Sequence, residues 1–172
     1  MNTKSRIASI LKTNGLDSSI TGLPTFDLAE LHLTTDLDFQ LPTNVRLGHL
    51  AEKVVSELIK SSTNYTVLHE NVQIIEEEKT IGEIDFIIEN KNTKQILHVE
   101  LAYKFYLFDP SISSEIIKNW IGPNRNDSLH EKLEKLKIKQ FPLLYHSCTK
   151  TALTTIAINE VSQALCLLVS LF

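Results

Sequence analysis

The chain has 172 residues, enough for one domain with a hydrophobic core of its own. Hydrophobic residues make up 42% and charged residues 22%, a balance that excludes a disordered or fibrous chain. The net charge of −4 means that no overall basic surplus indicates nucleic-acid binding. The charge is unevenly divided, because residues 1–117 carry ten basic and seventeen acidic side chains, whereas residues 118–150 carry seven basic and three acidic ones.

Cysteine content and hydropathy exclude further classes of protein. Two cysteines, Cys148 and Cys166, are too few for a disulfide scaffold and lack histidines at zinc-finger spacing. The N-terminus has no apolar core or cleavage site of a signal peptide, and no apolar run approaches the roughly 20 residues of a membrane helix. We therefore expect a cytoplasmic protein that does not associate with membranes.

The first half of the chain predicts an arm, a helix and a meander of strands. Residues 1–43 mix short apolar patches with glycine and proline, and predict a peripheral N-terminal arm with one short helix near residues 5–12. Residues 44–60 show the apolar stripe of an amphipathic helix, with Glu52 at its edge. Three segments rich in β-branched and aromatic residues follow, joined by short polar connections that favour antiparallel pairing. These segments are 65–75, 80–89 and 95–108.

The second half predicts a turn, a helix and further core elements. Residues 120–126 are turn-forming, and Ser128 with Glu131 makes a capping box for a helix that Pro142 is expected to end. Residues 143–145 are a candidate strand. The apolar end, residues 164–172, predicts either a core strand or helix or a truncation at the C-terminus. These elements predict an α/β (α+β) domain over residues 44–172, with strand and helix not separable beyond residue 150.

Acidic side chains on two neighbouring strands are the most informative feature of the sequence. In GEIDF (residues 82–86), Glu83 and Asp85 share one strand face. In HVELAYKFYL (residues 98–107), Glu100, Ala102 and Lys104 share a face. Because buried strands rarely carry charges without a compensating partner, this clustering indicates a site or an ion network.

The hairpin register predicts that Asp85 and Glu100 oppose each other. If Glu89 pairs with Ile96 across the NKNTK loop, Asp85 lies opposite Glu100, with Cβ atoms about 4.5–5.5 Å apart. A slip of one residue would separate them. Two facing carboxylates need a cation or a shared proton, and their hard oxygen atoms suit Mg²⁺ or Mn²⁺. The alternative is a purely structural network of Asp85, Glu100 and Lys104.

The order of these residues resembles that of a known superfamily. A helix with Glu52, a strand ending in Asp85, a strand with Glu100 and Lys104 and a following helix resemble the PD-(D/E)XK phosphodiesterases, which have a restriction-endonuclease-like core. RLGHLAE (46–52), TIGEIDF (80–86), HVELAYKFYL (98–107) and WIGPNRNDSL (120–129) resemble, more narrowly, a bacterial family of domains of unknown function, family 1853. The resemblance covers about residues 44–145 and rests on four motifs in the same order.

The resemblance implies a role for each matching residue. Asp85 and Glu100 would bind the metal, with the backbone carbonyl of Leu101 as a third candidate ligand. Lys104 would orient the attacking water, and Glu52 would hold a water molecule from the covering helix. The chain departs from the superfamily at Ala102, where the usual lysine stands. Lys104 lies about 6.6–6.8 Å further along the strand, so its catalytic role is open.

The sequence gives less specific roles to the other polar residues. Glu83 and Gln73 are expected to support the site rather than bind the ion. Four basic residues are candidate contacts to a nucleic-acid backbone, with a solvated helix face as the alternative: Arg125, Lys132, Lys135 and Lys139. The histidines show no metal-ligand spacing, and His98 is expected to lie on the side of its strand away from Asp85.

The sequence therefore predicts a nuclease that uses Mg²⁺ or Mn²⁺ to hydrolyse phosphodiester bonds in DNA or RNA. A second interpretation is a catalytically inactive nuclease-like domain that binds nucleic acid or a partner protein. A third is an α+β domain whose charged cluster is structural. A homodimer is compatible with the first two, since many nucleases pair subunits to cut two strands.

Overall fold

A five-stranded mixed sheet forms the centre of the protein. The computed structural model describes residues 3–13, 15–34, 37, 39–42 and 44–172. The strands are β1 (Tyr65–Glu76), β2 (Lys79–Asn90), β3 (Ile96–Phe108), β4 (Trp120–Ile121) and β5 (Ser162–Leu171). The first three are antiparallel neighbours in chain order, which confirms the predicted meander and the α/β class.

Helices pack on the sheet, and further helices lie in the N-terminal arm. They are α1 (Thr3–Leu11), α2 (Ser18–Thr21), α3 (Leu47–Lys60), α4 (Leu129–Lys135), α5 (Phe141–Leu143) and α6 (Ser147–Ala152). A π-helical stretch, Leu136–Gln140, joins α4 to α5. Ser128 accepts a hydrogen bond from the backbone N–H of Glu131 at the start of α4, as the capping pattern predicts. None of the helices in the described ranges is long and apolar enough to cross a membrane.

Strand β3 has a neighbour along each of its edges. One edge pairs with β2, from Glu89 opposite Ile96 to Phe86 opposite Val99, which is the predicted register. The same edge pairs with β4 at the far end of the strand, at Leu107 and Phe108. The other edge pairs with β5 in parallel, from Leu97 to Tyr106. The apolar C-terminal segment is thus a strand of the core, one of the two elements that its composition predicts.

The two faces of the sheet pack against different helices. Helix α3 contributes the buried side chains of its apolar stripe to a core that includes Phe86, Val99 and Leu101. On the other face, Leu129, Leu133 and Leu136 pack with Ala102 and Tyr106. The N-terminal arm adds Phe26, Leu28 and Leu31 to the α3 side, so it contributes more to the core than the sequence indicates.

The prediction for residues 143–145 is wrong. No strand forms there, because the helical path continues from α4 through the π-helical stretch into α5. Pro142 does not end this helical run. It is the second residue of α5, directly after the π-helical stretch, where the regular i→i−4 hydrogen-bond ladder is already interrupted, so that the missing N–H group is tolerated.

Candidate active site

Strand β2 separates from β3 at Asp85. The ladder between the strands ends with Phe86 opposite Val99, one position before Asp85 would face Glu100. Beyond that point, the side chain of Asp85 takes the place of the strand backbone, since its Oδ2 accepts a hydrogen bond of 2.8 Å from the backbone N–H of Leu101. The N–H and C=O groups of one strand residue point to the same edge, so the carbonyl of Leu101 also faces this opening.

Glu100 is held by two hydrogen bonds on the α4 side of the sheet. Its side chain is buried, with 2% of its surface exposed. His98 Nε2 lies 2.7 Å from Oε1, and the amide of Gln140 donates to Oε2 at 3.0 Å. His98 therefore shares a face with Glu100, and the prediction that it points away from Asp85 is wrong. Both are even-numbered positions of one strand, which alternation places together.

The hydrogen-bond chain fixes the tautomer of His98. The Nε2 amide of Gln163 donates to the carbonyl of Phe141 at 2.7 Å and lies 3.1 Å from His98 Nδ1. A carbonyl is an acceptor only, so this Gln163 atom is the donor nitrogen, and His98 Nδ1 must accept its second hydrogen. The remaining proton of a neutral His98 then lies on Nε2 and is donated to Glu100. Glu100 thus receives two hydrogen bonds, one on each carboxylate oxygen, that fix its orientation.

Burial and neighbouring charges raise the pKa of Asp85 to about 7. Removal from water is the largest cause, followed by the negative charge of Glu100, and Glu52 adds to the effect. The N–H of Leu101 and the positive charge of Lys132 oppose it. Three carboxylates and one ammonium group therefore act on one another at the place where the two strands separate.

Glu52 reaches this opening from α3, at the edge of the apolar stripe. Its charge acts on Asp85, as expected for a residue of the same site. It is also 3.0 Å from Nδ1 of His49, one helical turn away, and both side chains are partly exposed. Glu52 is thus the member of the site that faces solvent.

The lysines are arranged differently from the prediction. The Nζ of Lys104 lies 2.7 Å from Oδ2 of Asp127, in the loop before α4. Lys132, predicted as a nucleic-acid contact or a solvated residue, is half-buried and acts electrostatically on Asp85 and Glu100. Burial lowers the pKa of Lys132, and the two carboxylates oppose that shift.

The remaining predicted residues lie outside the carboxylate cluster. Lys135 and Lys139 are exposed, and Arg125 forms an ion pair with Asp109 at 2.8 Å. Gln73 and Glu83 face each other in the β1–β2 ladder. In the described part of the chain, neither of these two hydrogen-bonds to Asp85 or Glu100. The structure therefore brings together Glu52, Asp85 and Glu100, while Lys104 is bound to Asp127.

Sequence reasoning missed three residues that contact one another around Glu100: His98, Gln140 and Gln163. Strand alternation alone could have placed His98 beside Glu100. Gln140 and Gln163 could not be assigned, because a π-helical stretch and a parallel strand bring them there. The lysine spacing on α4 identified Lys132 as a charged residue but gave no sign that it lies over the carboxylates.

A second cluster, at the end of β1, also contains metal-binding residue types. Glu76, His146 and Cys148 place one ligand atom each within 4.8 Å of the others. The backbone N–H of Cys148 donates to Nδ1 of His146, whose Nε2 lies 3.6 Å from Glu76. A neutral His146 then carries its proton on Nε2, toward Glu76, so the arrangement caps helix α6 and leaves no free nitrogen for an ion.

A cleft of about 800 Å³ lies apart from the carboxylates. It is lined by residues of the arm, the starts of β1, β3 and β5, and the α5 region, among them Phe26, Tyr65 and Phe141. We place the candidate active site at the carboxylates rather than at this cleft, because the cleft lining contains neither Asp85 nor Glu100.

The fold and site define a mixed α/β domain with a carboxylate cluster at the opening between two strands. A family model described as Domain of unknown function (DUF1853) matches residues 4–172, and the chain belongs to this family. Searches of curated proteins and of solved structures gave no match.

Proposed function

We propose that the protein is a divalent-metal-dependent nuclease of the PD-(D/E)XK type that hydrolyses phosphodiester bonds in DNA or RNA. The observation that carries the proposal is the separation of β2 from β3 at Asp85, beside the buried Glu100. Two carboxylates and the Leu101 carbonyl then face one opening. The cytoplasmic location stays a prediction from the sequence.

The donor set fits Mg²⁺ or Mn²⁺. All the candidate ligand atoms are oxygens, which these hard cations prefer. Asp85 has one carboxylate oxygen, Oδ1, that makes no hydrogen bond within the described chain, and His98 and Gln140 orient Glu100. Burial first, and then the negative charge of Glu100, raise the pKa of Asp85, and a divalent cation would offset both effects.

In this proposal Asp85 and Glu100 would hold the ion, and Glu52 would position a water molecule from the solvent side. The chemistry that such an ion supplies is activation of water and neutralisation of charge on the phosphate. His98 donates to Glu100 and fixes its orientation. A lysine near the carboxylates would stabilise the charge that develops on the phosphate.

A second candidate function is a catalytically inactive domain of the same fold that binds nucleic acid or a protein partner. Two observations favour it: Ala102 stands where the superfamily has its lysine, and Lys104 is bound to Asp127. This candidate and the nuclease differ in metal binding and in hydrolysis, so one set of measurements separates them.

Calorimetric titration with Mn²⁺ tests the proposal. We expect the parent chain to bind one or two ions, and both Asp85→Asn and Glu100→Gln to lose them, because each removes a charged oxygen ligand. Glu83→Gln is the matched control, an acidic residue of β2 that, in the described part of the chain, does not hydrogen-bond to Asp85 or Glu100. Parent and variants are then incubated with labelled single- and double-stranded DNA and RNA in Mn²⁺.

Each result has a distinct meaning. Metal binding that depends on both carboxylates, together with hydrolysis, supports the nuclease. Nucleic-acid binding without metal binding or hydrolysis supports the inactive domain. Equal Mn²⁺ binding by the parent, Asp85→Asn and Glu100→Gln would contradict the metal site.

A further inference from the structure

The strand position that carries the superfamily lysine is a buried alanine in this chain. Ala102, two residues after Glu100, is 4% exposed and lies in the hydrophobic cluster formed with Leu129, Leu133 and Leu136. Helix α4 and the start of the π-helical stretch therefore pack directly over this position. A lysine at residue 102 would have to displace them.

The next lysine on the strand is already paired. Lys104 Nζ lies 2.7 Å from Asp127, and both side chains are partly exposed. The loop holds Asp127 in place, because the N–H of Gly122 donates to its backbone carbonyl at 2.7 Å. A methyl group at Gly122 would overlap the Asp127 carboxylate, so the glycine is needed for this close approach. Lys104 is thus directed toward the loop.

Helix α4 supplies another ammonium group to the same opening. Lys132 lies three residues after Leu129 and four before Leu136, both of which are buried against the face of β3 that carries Glu100. Residues at these spacings are neighbours on a helix surface, so Lys132 flanks the buried stripe. Its side chain is half-buried.

The charge environment of Lys132 agrees with this position. Asp85 and Glu100 both act on its ammonium group, and Lys104 and Lys135 act on it with opposite sign. Within the described ranges Lys132 forms no ion pair, in contrast to Lys104. An ammonium group that lies near two carboxylates but is bound to neither can donate hydrogen bonds to the anionic oxygen of a ligand.

We propose that Lys132 is the phosphate-binding lysine of the Asp85–Glu100 site, supplied by α4 in place of the strand lysine. Its Nζ donates hydrogen bonds to a non-bridging phosphate oxygen and transfers no proton. This inference rests on the proposed function, since it identifies the cation of that same site. Lys104 then has a structural role, holding the loop before α4 through Asp127.

The test measures phosphate binding separately from hydrolysis. The Mn²⁺-loaded protein is titrated with thymidine 5′-monophosphate and 3′-monophosphate, and hydrolysis of labelled DNA and RNA is followed in parallel. The variants are Lys132→Met, Lys132→Arg and Lys104→Met, with Lys137→Met as the control, an α4-side lysine paired with Glu134. Circular dichroism and Mn²⁺ titration establish that each variant is folded and binds the ion.

We expect Lys132→Met to bind Mn²⁺ like the parent, to bind the nucleotides at least about tenfold more weakly, and to hydrolyse on the order of 100-fold more slowly. Lys132→Arg should restore part of the nucleotide affinity, because it keeps the charge. The Lys137→Met control should match the parent.

The outcomes separate the inference from the function on which it rests. If the parent binds nucleotide through Lys132 but hydrolyses nothing, the nuclease proposal fails and the phosphate site stands. If Lys132→Met matches the parent in nucleotide binding, or if Lys104→Met alone loses it, the inference is overturned, and the nuclease is judged by hydrolysis. A parent chain that binds Mn²⁺ but no nucleotide also overturns the inference.

Discussion

At the scale of single residues, Asp85 shows how the candidate site departs from what stability alone would favour. Its carboxylate is half-buried, faces the charge of Glu100, and receives one backbone hydrogen bond from Leu101. The pKa of Asp85 is raised to about 7 because burial and like charge outweigh that hydrogen bond. An ionised Asp85 therefore destabilises the folded chain in the absence of a cation.

The contribution of Asp85 to the stability of the metal-free protein should fall as the pH rises from about 4 to about 7. The ordinary pKa of an Asp side chain is 3.8, so in this window the folded chain keeps a proton that the unfolded chain has lost. The penalty is complete above pH 7. We expect Asp85→Asn to increase the free energy of unfolding at pH 8 on the order of 1–3 kcal/mol, with little change at pH 4. Urea denaturation of both chains across this range, in a chelator, measures the difference. Parallel curves would show that Asp85 ionises freely in the folded chain.

Local sequence patterns predict the helices and strands and their pairing correctly wherever neighbours in sequence are also neighbours in space. The short NKNTK connection predicted the β2–β3 register, and this register predicted that Asp85 and Glu100 come together. The parallel pairing of β5 with β3 was beyond such reasoning, because it depends on a contact across more than 60 residues. The same limit hid Gln163, which reaches His98 from β5.

The prediction for the region after α4 is wrong for a different reason. The sequence predicts a helix end at Pro142, but a proline is also tolerated directly after a π-helical stretch, and the sequence does not reveal that stretch. Because the helical path continues, Gln140 is held over Glu100 and Leu143 over Gly82 of β2. Lys132 was assigned to the surface because its spacing on α4 does not reveal that the carboxylates lie below it.

The contact between β2 and α5 makes Gly82 a sensitive position. A Cβ atom at Gly82 would lie 2.6 Å from Cδ2 of Leu143, a buried side chain that has little room to move. We expect Gly82→Ala to lower the free energy of unfolding by about 1–3 kcal/mol through overpacking. Gly48→Ala is the matched control, because an added methyl group meets nothing there and the residue lies in α3. It should be neutral or stabilise the chain by up to about 1 kcal/mol. Equal stability of the two variants in urea would mean that α5 does not pack on β2 as described.

The N-terminal arm contacts the outer edge of the sheet. The N–H of Phe26 donates to the carbonyl of Leu165 at 2.9 Å, and the N–H of Leu165 donates to the carbonyl of Pro24 at 2.8 Å, so the arm pairs with the outer edge of β5 at Leu165. An uncovered edge strand is a template for pairing with other chains. The ring of Phe26 also packs edge-on against Tyr65 of β1, with ring centroids 5.4 Å apart. The arm therefore joins the two sides of the α3 core.

This arrangement makes Phe26 a test of whether the arm and the candidate nuclease domain fold as one unit. Phe26 is 4% exposed, and Phe26→Ala should lower the free energy of unfolding by about 3–5 kcal/mol through lost burial and the cavity left behind. The urea transition should stay single, with an unchanged slope, because the arm and the sheet share one core. Ile20→Ala, also in the arm but 54% exposed, should change stability by no more than about 0.5 kcal/mol. If Phe26→Ala instead loses less than about 1 kcal/mol, or splits the transition in two, the arm folds apart from the sheet. The candidate active site would then depend on residues 44–172 alone.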